Sequence, residues 1–206
     1  MRTHAEDLHQ VALCNTSPRH SRRPRRGFEG CLASLTQLQN PMSETPTQPT
    51  RILAIDPTTK GFGYAILDLP SHLVAWGMAH VKGEKRTGAI FRFEALLDQF
   101  RPDAVVLENT TAPGSRRYPR VRELLDTLGK IARERGIPVQ TVSRLAVIAH
   151  FSKDETAIKH SIAKTLAVDY PQLAEKVPRK RKIYQSEDER ISVFDALSLA
   201  LTFAGK

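Results

Sequence analysis

The sequence predicts an α/β fold, a five-stranded mixed sheet with flanking helices, and three observations carry that reading. Three apolar runs of strand length follow one another closely, separated by Gly, Pro and Ser turn signals, between Arg51 and Val81. Beyond them, two further short apolar runs alternate with segments of helical periodicity, the order that places parallel strands beside crossover helices. Acids then close or interrupt three of the apolar runs: Asp56, Glu108 and Asp195. A charged carboxylate beside apolar sheet or helix is costly unless it is paired or holds a metal.

In chain order, the first strand is Arg51 to Asp56, the second Phe62 to Leu67, with the turn-rich PTTKG between them, and the third Leu73 to Val81. Together they make an antiparallel meander. A helix is predicted from Thr87 to Phe100, because Ile90, Phe93, Leu97 and Phe100 fall on one face at spacings of three and four, and Arg101-Pro102 ends it. Strand four is Ala104 to Glu108. A basic loop leads into a helix through Val121, Leu124, Leu125, Leu128 and Ile131 that stops at Gly136, and strand five is Pro138 to Val142. A short helix, a longer one carrying Ile158, Ile162 and Leu166, and a terminal helix through ISVFDALSLALTF (Ile191 to Phe203) complete the pattern.

At 206 residues the chain suits one domain with a full core. Its 40% hydrophobic content is that of a soluble globular protein, and no apolar stretch reaches the roughly 18 residues of a membrane span. Lys and Arg exceed Asp and Glu by nine, and the pI near 9.8 fits a polyanionic partner such as nucleic acid. Cys14 and Cys31 both precede the first strand, so neither a disulfide framework nor a cysteine metal site holds the domain, and a reducing, cytoplasmic compartment is expected.

The order strand-Asp, strand-Glu, helix-Asp, read in AIDPTT with GFGYAI, in RPDAVVLEN and in FDALSLAL, resembles that of RuvC-type Holliday-junction resolvases. These belong to the ribonuclease-H-like nuclease superfamily. The resemblance runs from about Arg51 to Ala204, and the specific signal is the three motifs in this order. It implies a ribonuclease-H-like domain over 51–206 in which strand four lies parallel to strand one, so that Asp56 and Glu108 are neighbours and the terminal helix brings Asp195 to the same edge. Carboxylates gathered in this way repel one another, and hard divalent cations are the usual remedy. Two Mg²⁺ (or Mn²⁺) ions can activate water and stabilise the leaving oxygen of a phosphodiester, so no nucleophilic side chain is needed. Taken singly, each acid has an ordinary role too: Asp56 as a turn former, Glu108 as a strand end, Asp195 as a paired helix acid.

The fourth ligand is where the sequence departs from the family. The acid expected three residues before the terminal Asp is Ser192 here. Asp188, seven residues from Asp195, shares its helix face, whereas Glu189 at six residues points elsewhere, so Asp188 is favoured as a metal-binding and catalytic residue. Ser186 with Glu189 also reads as a capping box.

Nucleic-acid contacts are expected from Arg116, Arg117, Tyr118, Arg120 and Arg122 in the loop after Glu108, where arginines neutralise phosphates and the tyrosine stacks on an unpaired base. A second cluster, Arg179, Lys180, Arg181 and Lys182, is expected on the backbone. Lys153 and Lys159 flank a helix start where the family often places a lysine at the site, and Lys153 is counted among the expected nucleic-acid contacts. The resemblance implies a metal-dependent endodeoxyribonuclease of the crossover-junction type that acts on four-way DNA junctions in recombination and repair, as a homodimer associated with the nucleoid. Alternatives are an RNA-processing nuclease of the same superfamily and a non-catalytic DNA-binding relative. Actin-like and sugar-kinase ATPases also place an Asp after an apolar strand, but they pair two such domains around a nucleotide.

Residues 1–50 mix an Arg-rich SRRPRRG with Ser, Thr, Gln and Pro, lack sustained periodicity, and read as a disordered basic extension, with Met42 a natural start. Residues 1–41 carry six Arg against Glu6, Asp7 and Glu29, so most of the positive surplus stays on the domain. A chain beginning at Met42 is expected to unfold at the temperature of the full chain. A large drop in that temperature would show that the extension packs on the domain.

Overall fold

The computed structural model describes residues 50–115, 117–152, 158–180, 184 and 186–205, all of which fall in one compact unit, Glu44–Lys206. The predicted extension over 1–50 lies outside the described residues except for Thr50. The strands are β1 (Arg51–Thr58), β2 (Gly61–Asp68), β3 (His72–His80), β4 (Ala104–Glu108) and β5 (Val139–Val142), and the sheet order is β3-β2-β1-β4-β5. The meander pairs antiparallel, while β1–β4 and β4–β5 are parallel, so the sheet is mixed as the sequence predicts. This is the ribonuclease-H-like α/β arrangement. The helices are α1 (Lys85–Phe100), α2 (Pro119–Glu134), α3 (Arg144–Phe151), α4 (Lys159–Asp169) and α5 (Ile191–Ala204), with a 3₁₀ turn at Pro171–Lys176.

Alternation along the strands divides the apolar side chains between two faces. Leu53, Ile55, Phe62, Ile66, Val105 and Leu107 meet α1 and α2 through Phe93, Leu97, Leu125 and Leu128. Ile52, Ala54, Ala65, Leu67, Ala104 and Val106 meet α4 and α5 through Ile162, Leu166, Phe194 and Leu197. The second face is lined with small residues, and α5 lies over it with every residue from Ile191 to Ala200 buried. A helix apolar on all sides is stable only when enclosed in this way.

Local chemistry sets several helix ends. Glu84 caps α1 by accepting from the backbone N–H groups of Arg86 and Thr87 at 2.9 and 2.5 Å, which starts the helix two residues before the predicted Thr87. Pro119 opens α2, where its missing N–H costs nothing, and Gly136 follows its end with φ +74°. Ser143 caps α3 through the Ala146 N–H at 3.0 Å.

α5 begins at Ile191, where the apolar run begins, but the expected capping box does not form. Neither Ser186 nor Glu189 caps it, because the helix begins at Ile191 with no side-chain cap. Asp188 instead closes a local turn, its Oδ1 accepting the Arg190 backbone N–H at 3.0 Å. Asp residues compete with helix geometry in this way.

Candidate active site

The same alternation that builds the core places the acids. In β1, Asp56 has the parity of Ile52 and Ala54, and in β4, Glu108 has that of Ala104 and Val106, so both carboxylates belong to the face covered by α5. The parallel register pairs Ile55 with Leu107, which sets Asp56 and Glu108 side by side at the carboxyl ends of adjacent strands. Asp195, one turn into α5, comes to them from the helix. All three are buried, at 3%, 8% and 4% exposure for Asp56, Glu108 and Asp195.

Each carboxylate has a cation. The Arg117 guanidinium bridges the two strand acids: Nε donates to Glu108 Oε2 at 2.7 Å, Nη2 approaches the same oxygen at 2.5 Å and donates to Asp56 Oδ1, and Nη1 donates to the Pro57 carbonyl at 3.3 Å. Arg144 Nη1 donates to Asp195 Oδ1 at 3.2 Å, and Lys159 Nζ lies 2.7 Å from Oδ2. Lys159 also reaches Glu187 at 3.1 Å. Among the described residues, no three His, Cys, Asp or Glu side chains converge closely enough to hold an ion in this arrangement.

Burial pushes the Asp56 carboxyl up to about 7 against the pull of Arg117, with Asp195 and Glu108 adding to the rise and Lys159 opposing it. Burial works against the charge on Arg117 as well, but Asp56 and Glu108 outweigh it and hold the guanidinium protonated. Lys159 behaves likewise, with Asp195 and Asp56 overcoming desolvation.

A carboxyl whose folded pKa lies above its unfolded value contributes stability that is fully present below the unfolded value and lost as pH rises through the folded one. The expected result is that metal-free protein loses a few kcal/mol more than Asp56→Asn between about pH 4 and pH 7, read from urea midpoints of both proteins across that range. Parallel pH profiles would show that Asp56 ionises normally in the fold.

The candidates for the fourth acid separate. Asp188 lines a cleft of about 550 Å³ together with Asp56, Arg117 and Lys159. It precedes α5, so the two-turn spacing to Asp195 does not place it, and its carboxylate is held by Arg190 at 2.6 Å. Glu189 also borders the cleft but pairs with Lys60 at 3.0 Å. Ser192 is buried, its hydroxyl donating to the Glu189 carbonyl at 2.8 Å and lying 3.0 Å from Met78 Sδ.

Of the residues expected to meet nucleic acid, Tyr118 is 73% exposed and lines the cleft with Arg120. Arg122 is exposed and donates to the Arg117 carbonyl at 3.0 Å. Arg117 itself lies on the acids. Arg179 and Lys180 are exposed and do not line that cleft, while Arg116, Lys153, Arg181 and Lys182 lie outside the described residues.

Two site residues were underread in the sequence. The sequence does not separate Lys159 from Lys153, and the structure puts Lys159 on Asp195. Arg144 carries no sequence signal beyond its place after the Ser143 cap.

The fold is that of a ribonuclease-H-like domain, the architecture seen in RuvC-type Holliday-junction resolvases. The particular structures it resembles include RuvC of Thermus thermophilus, solved alone and with a Holliday-junction substrate, at 19% identity over 75% of this chain and 93% of that one, with a TM-score of 0.53. The yeast mitochondrial Holliday-junction resolvase matches at 15% identity over 78% of this chain and 80% of that one, also with a TM-score of 0.53. At these identities the likeness is one of fold. No protein-family model and no curated protein sequence matches the chain.

Proposed function

We propose that the chain is a divalent-metal-dependent endonuclease that cuts phosphodiester bonds in branched DNA, with four-way junctions as the preferred substrate. The observation that carries this reading is the delivery of Asp56 and Glu108 from adjacent parallel strands, and of Asp195 from the helix over them, to one buried edge of the sheet beside a cleft that Tyr118 and Arg120 line. The donor set fits Mg²⁺ or Mn²⁺, because carboxylate oxygens are the ligands that hard cations prefer. The position of Arg117 between Asp56 and Glu108 supports the fit, since that gap already accommodates positive charge.

Asp56, Glu108 and Asp195 would hold the ions, and Asp188 is the fourth candidate from the cleft wall. Bound ions would supply an activated water and stabilise the departing oxygen. The chain's own residues do the rest. Arg144 and Lys159 fix both oxygens of Asp195 and so its orientation. The Ser192 hydroxyl is turned into the helix start and against Met78, and water is the proposed nucleophile. Tyr118 offers a stacking surface for an unpaired base, and Arg120 and Arg122 offer positive charge to the backbone. The same role is proposed for Arg116, Arg117 once released, Lys153, Arg179, Lys180, Arg181 and Lys182.

Resolving a four-way junction takes two cuts, which two copies of one chain supply, so the active form is proposed to be a homodimer. No helix among the described residues is long and apolar enough to cross a membrane, and a cytoplasmic, nucleoid-associated setting is the proposal. The deciding experiment incubates an end-labelled four-way junction, linear duplex and structured RNA with the protein, with and without Mg²⁺. Junction-selective, Mg²⁺-dependent nicking is expected. Faster cutting of RNA would move the function to RNA processing, and tight junction binding without cleavage in Mg²⁺ or Mn²⁺ would make the chain a DNA-binding relative without activity.

A further inference from the structure

Arg117 belongs to the basic loop that faces the cleft, yet its side chain lies on the acids instead of reaching outward. Its guanidinium engages Glu108 Oε2 through Nε and Nη2, Asp56 Oδ1 through Nη2 and the Pro57 carbonyl through Nη1. Those carboxylate oxygens are the atoms a divalent cation would need. A planar five-donor group matches carboxylates well and keeps its charge on burial, so in the metal-free protein it satisfies two acids whose ionisation would otherwise be heavily penalised. A guanidinium and a metal ion cannot use the same oxygen directions at once.

We propose that Arg117 is a resident counter-cation that competes with the divalent cation for Asp56 and Glu108, so that metal entry and release of the Arg117 side chain are one linked event. The inference rests on the metal-nuclease reading of this site. Its functional consequence is an ordering of the loop's tasks. Until an ion is bound, Arg117 neutralises the acids. Once displaced, it stands at the cleft with Tyr118 and Arg120, where a backbone phosphate is the complementary partner. By linkage, a phosphate that attracts the freed guanidinium also tightens metal binding.

The test titrates Mn²⁺ into the full chain and measures binding by calorimetry. Arg117→Gln is expected to bind Mn²⁺ at least roughly tenfold more tightly than wild type, because no charge-assisted contacts have to be broken first. Adding Asp56→Asn to that variant is expected to cancel the gain. Equal or weaker binding by folded Arg117→Gln overturns the proposal.

A second measurement uses the wild-type protein alone. Saturating Mn²⁺ should accelerate tryptic cleavage after Arg117 several-fold relative to cleavage elsewhere in the chain, since trypsin must draw that side chain into its own pocket. No acceleration overturns the proposal, and this readout decides alone if the variant fails to fold. Wild type that cuts a junction in Mg²⁺ while Arg117→Gln binds no more tightly would sink the competition and leave the nuclease reading standing. Absence of both Mn²⁺ binding and cleavage in wild type and variant would sink both.

Discussion

Asp56→Asn is expected to lower Mg²⁺-dependent cleavage of a four-way junction by roughly a hundred- to a thousandfold or more, the scale on which single electrostatic groups in active sites act, while junction binding and the circular dichroism spectrum stay close to wild type. The substitution is nearly isosteric. Asparagine can still present an oxygen to Arg117, whose other contacts to Glu108 and Pro57 remain. The fold loses a buried ionisable group that burial already disfavours as an anion, so stability should hold. Chemistry then suffers before structure does. Wild-type rates in a gel-based junction assay would remove Asp56 from the mechanism. Loss of the native spectrum would make its role structural. Glu108→Gln should follow the same pattern. Asp195→Asn should also cost stability, because Arg144 and Lys159 would face a neutral amide in an enclosed setting.

The sheet was legible because its information is local and periodic. Turn signals bounded the meander, unbroken apolar runs marked the strands, and the acids closing the first and fourth runs fell side by side in the parallel register. The cation partners were not legible in the same way. Nothing in the composition of SRRYPRVR distinguishes the arginine that will find two buried carboxylates from its neighbours, because that choice depends on how the chain leaves β4. Arg144 reaches Asp195 across 51 positions of sequence, a contact set by the packing of α3 on α5. The capping box read in Ser186 and Glu189 is absent for a different reason. Asp188 and Glu189 can both be read as first-turn helix acids, but one closes a local turn onto Arg190 and the other pairs with the distant Lys60, so neither caps the helix.

Gly63→Ala is the substitution expected to cost the fold most directly at the site. Gly63 belongs to the β2 positions that face α5, and a Cβ built there would lie 2.4 Å from the Ser192 backbone carbon and Oγ and 2.6 Å from its carbonyl oxygen. Two of those three atoms are backbone, so rotating the serine cannot relieve the clash. Either β2 or the start of α5 must shift. Overpacking of this kind typically costs about 1–3 kcal/mol. With backbone as the obstacle, the upper end is expected here, a fall of roughly 6–12 °C in Tm for a domain of this size. Gly83→Ala is the control: its φ is +83° but a Cβ there meets nothing within 4 Å, so only the backbone conformation is penalised, by about 1 kcal/mol. Because α5 carries Asp195 only one turn beyond Ser192, a shift large enough to admit the methyl group should also move Asp195 against Asp56. Cleavage by Gly63→Ala, assayed well below its Tm, should therefore fall further than that of Gly83→Ala. Ser192→Gly, which removes Oγ but neither backbone atom, should recover only part of the stability. A Gly63→Ala protein that melts with wild type would mean that α5 is free to ride over the sheet, and the acids would then owe their convergence to Lys159, Arg144 and Arg117 instead of to the close approach of helix and strand.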